Sequence, residues 1–208
     1  MADPWPQVGI ETYKDISLTA LAEVSIYYRD FAETLREVPD ERGLTDLFIL
    51  KLAHKHARFY GTRTTGRVEG REGHDYIFQC TIKRPTNGQV ERVRMYIQAK
   101  TFKPDNNGIL VADFTYRNKQ GVLQMNLLQQ TVAQERINDP TIRFFAGYLI
   151  YCTEHEFNLF VPVDDVIAAY TILPNNPGPG VVANRALSQL FVQDKLKYPI
   201  FDLLQDAM

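Results

Sequence analysis

The stretch Val93-Arg94-Met95-Tyr96-Ile97-Gln98-Ala99-Lys100 decides how the rest of the chain is read. Side chains alternate between the two faces of a strand, so Val93, Met95, Ile97 and Ala99 form one apolar face and belong in a core. The opposite face carries Arg94, Tyr96, Gln98 and Lys100. A second run with strand character, Gly73 to Ile82, lies upstream and opens on the carboxylate Asp75. Between the two sits Asn87-Gly88, the pair that supplies two positive-φ residues to a tight hairpin turn. Folding back on that pair sets Asp75 opposite Lys100 (87 + 88 − 75 = 100), with Gln98 one pleat away. An acid, an amide and an amine then meet at one end of a hairpin, the seed of a metal-dependent phosphodiesterase site.

The chain has 208 residues, enough for one domain with a sizeable core, and its 45% hydrophobic content is that of a globular protein. Met1 to Gly9 lacks the basic-then-apolar layout of a signal peptide, and no apolar run reaches the roughly 20 residues of a membrane span. Cys80 and Cys152 both fall in apolar runs, where buried free thiols suit a cytoplasmic protein. The net charge of −2 conceals a split. Residues 51–119 hold 14 Lys or Arg against 6 Asp or Glu, or +8; the remainder holds 9 against 19, or −10. A basic middle of this kind suits a polyanion-binding face, with Arg92, Arg94 and Lys103 as its candidate contacts. Arginines decorating exposed strands are the plain alternative.

Outward from the hairpin, Leu18, Leu21, Val24, Tyr28, Phe31 and Leu35 recur at helical spacing within residues 10–38, and Val38-Pro39-Asp40 ends the run. Residues 41–60 read as a second helix, with Glu41 and Asp46 in its first turns, where a carboxylate also complements the helix dipole. Thr62 to Glu69 alternates as a strand and ends at Gly70-Arg71-Glu72-Gly73, a turn that brings Glu69 towards Asp75. A loop occupies Phe102 to Gly108, then come short strand-like or irregular residues over 109–117, then a helix over 121–136 with Leu123, Leu127, Leu128 and Val132 inward and Gln124, Gln129, Gln130 and Gln134 on its polar face. Phe144 to Cys152 reads as a strand buried on both faces. A short helix at 164–170, a connector at 174–180 and a helix at 183–197 complete the chain. The fold class is α/β, with the core order α-β-β-β-α-β. Residues 1–40 form an N-terminal helical extension, 41–152 the core, and 153–208 a C-terminal extension packed on the same domain.

Several other chemistries are set aside. There is no P-loop, dinucleotide glycine fingerprint or serine nucleophile elbow, and two cysteines cannot build a structural zinc site. His74-Asp75 opens a β run, whereas phosphohydrolases built on a His-Asp pair are helical.

Asp75, a hairpin, and then Gln98-Ala99-Lys100 resemble the PD-(D/E)xK restriction-endonuclease-like nucleases, in the variant with Gln in place of the middle acid. Thr45-Asp46, Glu69, Gly73-His74-Asp75 and the Gln-Ala-Lys run are also similar to a group of bacterial proteins with a GAD…QAK pattern. The resemblance covers residues 41–152. It implies a mixed central sheet flanked by helices, and a Mg²⁺- or Mn²⁺-dependent deoxyribonuclease acting on DNA, by analogy in anti-phage defence. Asp75 and the Gln98 carbonyl oxygen would bind the metal, and Lys100 would serve the attacking water and the phosphate. Glu41, from the first core helix, or Glu69 would supply the charge that Gln98 lacks. Gln129 or Gln130 could approach from the helix after the Gln98 strand. Cutting both strands of a duplex is compatible with a homodimer. A catalytically inactive module of the same fold, binding nucleic acid or a protein, is the alternative.

Overall fold

The computed structural model describes residues 7–8, 10–54, 60–83, 88–175 and 177–194. In chain order the elements are β1 (Gln7–Val8), α1 (Ile10–Leu35), α2 (Glu41–His54), β2 (Tyr60–Arg63), α3 (Gly66–Glu72), β3 (Tyr76–Lys83) and β4 (Val90–Thr101). Then come β5 (Lys103–Pro104), β6 (Leu110–Val111), α4 (Gln124–Asn138), β7 (Ile142–Tyr151), β8 (Leu159–Pro162), α5 (Val163–Thr171) and α6 (Val181–Gln193). One mixed six-stranded sheet runs β1-β3-β4-β7-β8, with β2 also on β3. The pairs β1–β3 and β4–β7 are parallel, and β2–β3, β3–β4 and β7–β8 are antiparallel. The chain is therefore α/β with a central mixed sheet flanked by helices. A parallel pair needs a long crossover, and α4 lies in the one between β4 and β7.

Strand β4 is the axis of the molecule because both of its faces are covered. Val93, Met95, Ile97 and Ala99 pack with Leu21, Val24 and Tyr28 of α1 and Leu44, Phe48 and Leu52 of α2. Tyr96, on the other face, packs with Leu128 and Val132 of α4, Val166 of α5 and Leu187 and Phe191 of α6. The helices before residue 41 and after residue 152 thus pack into the same two cores. Cys80 and Cys152 are free and buried. Among the described residues no helix is long and apolar enough to cross a membrane.

Three expectations are corrected. The β3–β4 ladder pairs Tyr76 with Ile97 and Lys83 with Val90, an index sum of 173 rather than 175. Continued by one residue, the ladder sets Asp75 opposite Gln98, not Lys100. The slip is even, so every side chain keeps its face; of the proposed Asn87-Gly88 turn, residue 87 lies outside the described residues. The second helix ends at His54 rather than continuing to residue 60, and Tyr60 opens β2. Finally, the strand expected over 62–69 stops at Arg63, and Glu69 sits on the helix α3. Gly73 caps that helix in the left-handed conformation at φ +80°, its N–H donating to the Glu69 carbonyl at 2.7 Å.

Candidate functional site

Asp75 is fixed by its backbone before its side chain acts. Its N–H donates to Ile97 O at 2.8 Å, and its carbonyl accepts from Thr64 N at 2.7 Å, which clamps it between β4 and the end of β2. The side chain then points along the face shared by Tyr96, Gln98 and Lys100. Oδ2 accepts from Gln98 Nε2 at 2.5 Å and from Ala99 N at 3.0 Å, and Oδ1 accepts from Arg42 Nε at 3.2 Å. Only 2% of Asp75 is exposed. A carboxylate this deep needs such donors, since an unsatisfied buried polar group costs about 1–3 kcal/mol, and more when charged.

Helix α2 delivers two further groups from its first turn. Tyr76 Oη lies 2.6 Å from Asp46 Oδ1 and 2.9 Å from Arg42 O, which ties that turn to β3. Burial is the main reason the Tyr76 phenol titrates well above its usual range, with the Asp46 carboxylate adding to it. So anchored, Arg42 bridges two acids, with Nη2 on Glu69 Oε2 and Nε on Asp75 Oδ1. Glu41 Oε1 accepts from Thr101 N at 3.1 Å and Thr101 Oγ1 at 3.2 Å, just past Lys100. Asp46 pairs instead with Arg63 at 3.1 Å.

From the other core, α4 presents Gln124. Its Nε2 donates to Gln98 Oε1 at 2.6 Å, while its own Oε1 is buried with no donor. The chain Gln124–Gln98–Asp75–Arg42–Glu69 is therefore continuous. Lys100 is 7% exposed and its Nζ stands 5.4 Å from the centroid of the Tyr116 ring.

These groups line one cavity of about 450 Å³ at the carboxyl end of β4. Its walls hold Asp40, Glu41, Glu69, Asp75 and Asp113 against Arg42, Arg63, Lys100 and Lys103, which is five carboxylates and four cations. Among the described residues no group of three or more His, Cys, Asp or Glu is arranged to hold a metal ion. Arg42 pairs with Glu69 and Asp75, while Glu41 accepts from Thr101.

Residues 16–171 match a family of unknown function, DUF6615. The chain belongs to that family. The match takes in α2, β3, β4 and α4, and so every residue of the cavity network. No curated protein matches the sequence.

The structure thus brings Asp75, Gln98, Lys100, Glu41, Glu69 and Lys103 into one cavity. Arg92 and Arg94 are not in it. Arg92 lies six residues from Gln98 along β4, about 20 Å at roughly 3.3 Å per residue, and lines a different cavity with Arg136 and Arg143. Arg94 bonds to Gln79 at 3.2 Å and pairs with Glu135 at 3.6 Å. Gln129 bonds to Asp164 at 2.8 Å and Gln130 is exposed, so neither amide reaches the cavity. Gln124, one and a half turns earlier on the same helix, takes that place. Sequence reading placed Gln124 only on the polar face of its helix and did not include Arg42. A basic residue in the first turn of a helix, where the dipole disfavours it, was the available signal. His74 is fully buried, with Nε2 3.9 Å from Glu72 Oε2; its ring meets Tyr96 edge-on at 4.8 Å, and burial holds its pKa below the usual imidazole value.

Proposed function

We propose that the chain is a metal-dependent endonuclease with a restriction-endonuclease-like core, hydrolysing DNA phosphodiester bonds. The observation that carries this reading is the convergence of Asp75, Gln98 and Lys100 in one cavity, with the Asp75 carboxylate bonded to the Gln98 amide. Open α/β sheets place ligand sites at the carboxyl ends of their strands, where this cavity lies.

The lining charge supports a cation. Five carboxylates against four cations give −1, which repels a phosphate; adding a dication gives −1 + 2 = +1, which attracts it. Asp75 and Gln98, with Glu69 or Glu41, would hold Mg²⁺ or Mn²⁺, since hard cations take oxygen ligands. When bound, such an ion lowers the pKa of a water molecule and offsets charge on the scissile phosphate. The protein's own groups do the rest. For Gln98 to offer its oxygen, its amide and that of Gln124 turn over together, and the orphaned Gln124 Oε1 then accepts the Gln98 N–H. Arg42 releases Asp75 and Glu69 and stays as a cation for the phosphate. Lys100 orients the attacking water and stabilises the charge that develops during displacement.

Incubation of the purified protein with plasmid, with Mg²⁺ and with EDTA, tests the reading; nicking or linearisation in Mg²⁺ that Lys100→Ala abolishes is the expected result. Arg42 favours one other reading, a non-catalytic module, because it already pairs with both acids. DNA binding indifferent to EDTA, with no cutting, would select it. A cytoplasmic location, suited to the two free thiols, a homodimer for double-strand cutting and a part in anti-phage defence complete the proposal.

A further inference from the structure

A second cavity, of about 680 Å³, adjoins the first and shares Glu69, Tyr116 and Gln124 with it. Tyr116 therefore borders both spaces. It is 48% exposed, a large side chain left open beside a buried amine. The loop carrying it is tightly built. Asn118 Oδ1 accepts from Gln120 N at 3.0 Å and Val122 N at 2.9 Å, and Asn118 Nδ2 donates to Gly70 O at 2.9 Å, which pins the loop to α3. The Tyr116 carbonyl accepts from Gln124 N at 2.9 Å, so the aromatic and the cavity amide are set by one piece of backbone. Beyond the ring, Val122 and Leu127 give an apolar wall, and Arg71 and Lys119 bring positive charge.

We infer that this groove holds an unpaired nucleotide next to the phosphate at Lys100, with Tyr116 as the stacking surface for its base. The inference rests on the nuclease reading for the position of the phosphate. An exposed ring beside a phosphate-binding amine, with cations further along, is the layout that single-strand binders use, because every base has a π-face. Bases in an intact duplex are already stacked on each other and must be unstacked to reach such a ring, which costs free energy. A preformed loop lowers the ordering cost of capturing a base that is already free. The substrate class is thus DNA with an unpaired segment at the cut, such as a single strand, an overhang or a flap.

The alternative is that Tyr116 only shields Lys100, and Tyr116→Leu separates the two because leucine covers the amine without offering a π-face. Binding of labelled single-stranded and duplex oligonucleotides to the full chain is measured by fluorescence anisotropy in Mg²⁺, with cleavage-resistant phosphorothioate linkages, so that the cation is available and nothing is cut. Tyr116→Leu is expected to weaken single-strand binding about tenfold, the order expected for one stacked base, and to leave duplex binding within about twofold. Tyr116→Phe should bind as the wild type does. Tyr116→Trp should keep its affinity and lose indole fluorescence on adding single strand, with the wild type and its own Trp5 as background. Equal losses for both substrates, no loss, or a wild type that binds no oligonucleotide would overturn the inference. Binding through Tyr116 without any cutting in Mg²⁺ sinks the nuclease reading alone. Cutting by a protein whose Tyr116→Leu form binds single strands normally sinks only the stacking inference.

Discussion

Gln124 Nε2 donates to Gln98 Oε1 at 2.6 Å, across the boundary between α4 and the central strand. Groups that orient a metal ligand typically matter 10–100-fold. Gln124→Leu is therefore expected to lower Mg²⁺-dependent cleavage by about that factor without unfolding the protein. Gln124→Glu adds an obligate acceptor for the Gln98 N–H, which turns the Gln98 oxygen towards Asp75, so less Mg²⁺ should give half-maximal rate. Cleavage rates across a Mg²⁺ titration check both, and an unchanged Gln124→Leu titration would remove Gln124 from the site.

In the proposed site Arg42 would compete with a metal for the same carboxylates. Arg42→Gln leaves Asp75 and Glu69 with less compensation, so without metal the variant should be less stable by about 1–3 kcal/mol. Ligand binding to the native state raises stability by mass action, so Mg²⁺ should raise the Tm of Arg42→Gln more than that of the wild type. Thermal melts with EDTA and with Mg²⁺ measure this. Equal Mg²⁺ shifts would mean that Arg42 and the metal do not share a site.

In the proposed metal site the charge missing at Gln98 would come from Glu41 or Glu69. Glu69 is joined to Asp75 through Arg42, whereas Glu41 holds Thr101. Glu69→Gln should therefore lose more Mg²⁺-dependent cleavage than Glu41→Gln, and Gln98→Glu should restore part of it. Full activity in both glutamine variants would refute the compensation.

The basic residues divide by position. Lys103 lines the Asp75 cavity and Arg92 does not. Lys103→Ala should weaken DNA binding and reduce the salt slope by about one phosphate contact. Reversal of Arg92 and Arg94 together should change binding less. Salt titrations of binding distinguish the two, and the reverse order would move the contact surface to the far end of β4.

Gly73 joins stability to the site. At φ +80° a side chain is strained, by about 1–2 kcal/mol, and a Cβ there would come within 2.9 Å of Gln124 O. Gly73→Ala should lower the urea midpoint and also cleavage, because the first turn of α4 must move with Gln124 on it. A variant as stable and as active as the wild type would show that this contact is not tight.

Periodicity, and the division of side chains between faces that it dictates, was already decided in the sequence. Alternation along residues 93–100 set which side chains of β4 enter which core, and it put Asp75, Gln98 and Lys100 on one face. That result survived a register two residues away from the expected one, because faces repeat every two residues. Tertiary structure decided what crosses between elements. The slip of the hairpin depends on how β3 and β4 pair along their length, and an Asn-Gly pair does not fix it alone. Glu69 became helical because residues 66–72 can pack against α4 and close on Gly73. Arg42 and Gln124 reach Asp75 and Gln98 from helices on opposite layers of the sheet. No spacing along the chain encodes those contacts, because they depend on how each helix docks on β4. The acid and the amide were legible in the sequence, and the groups that hold them in place came from packing.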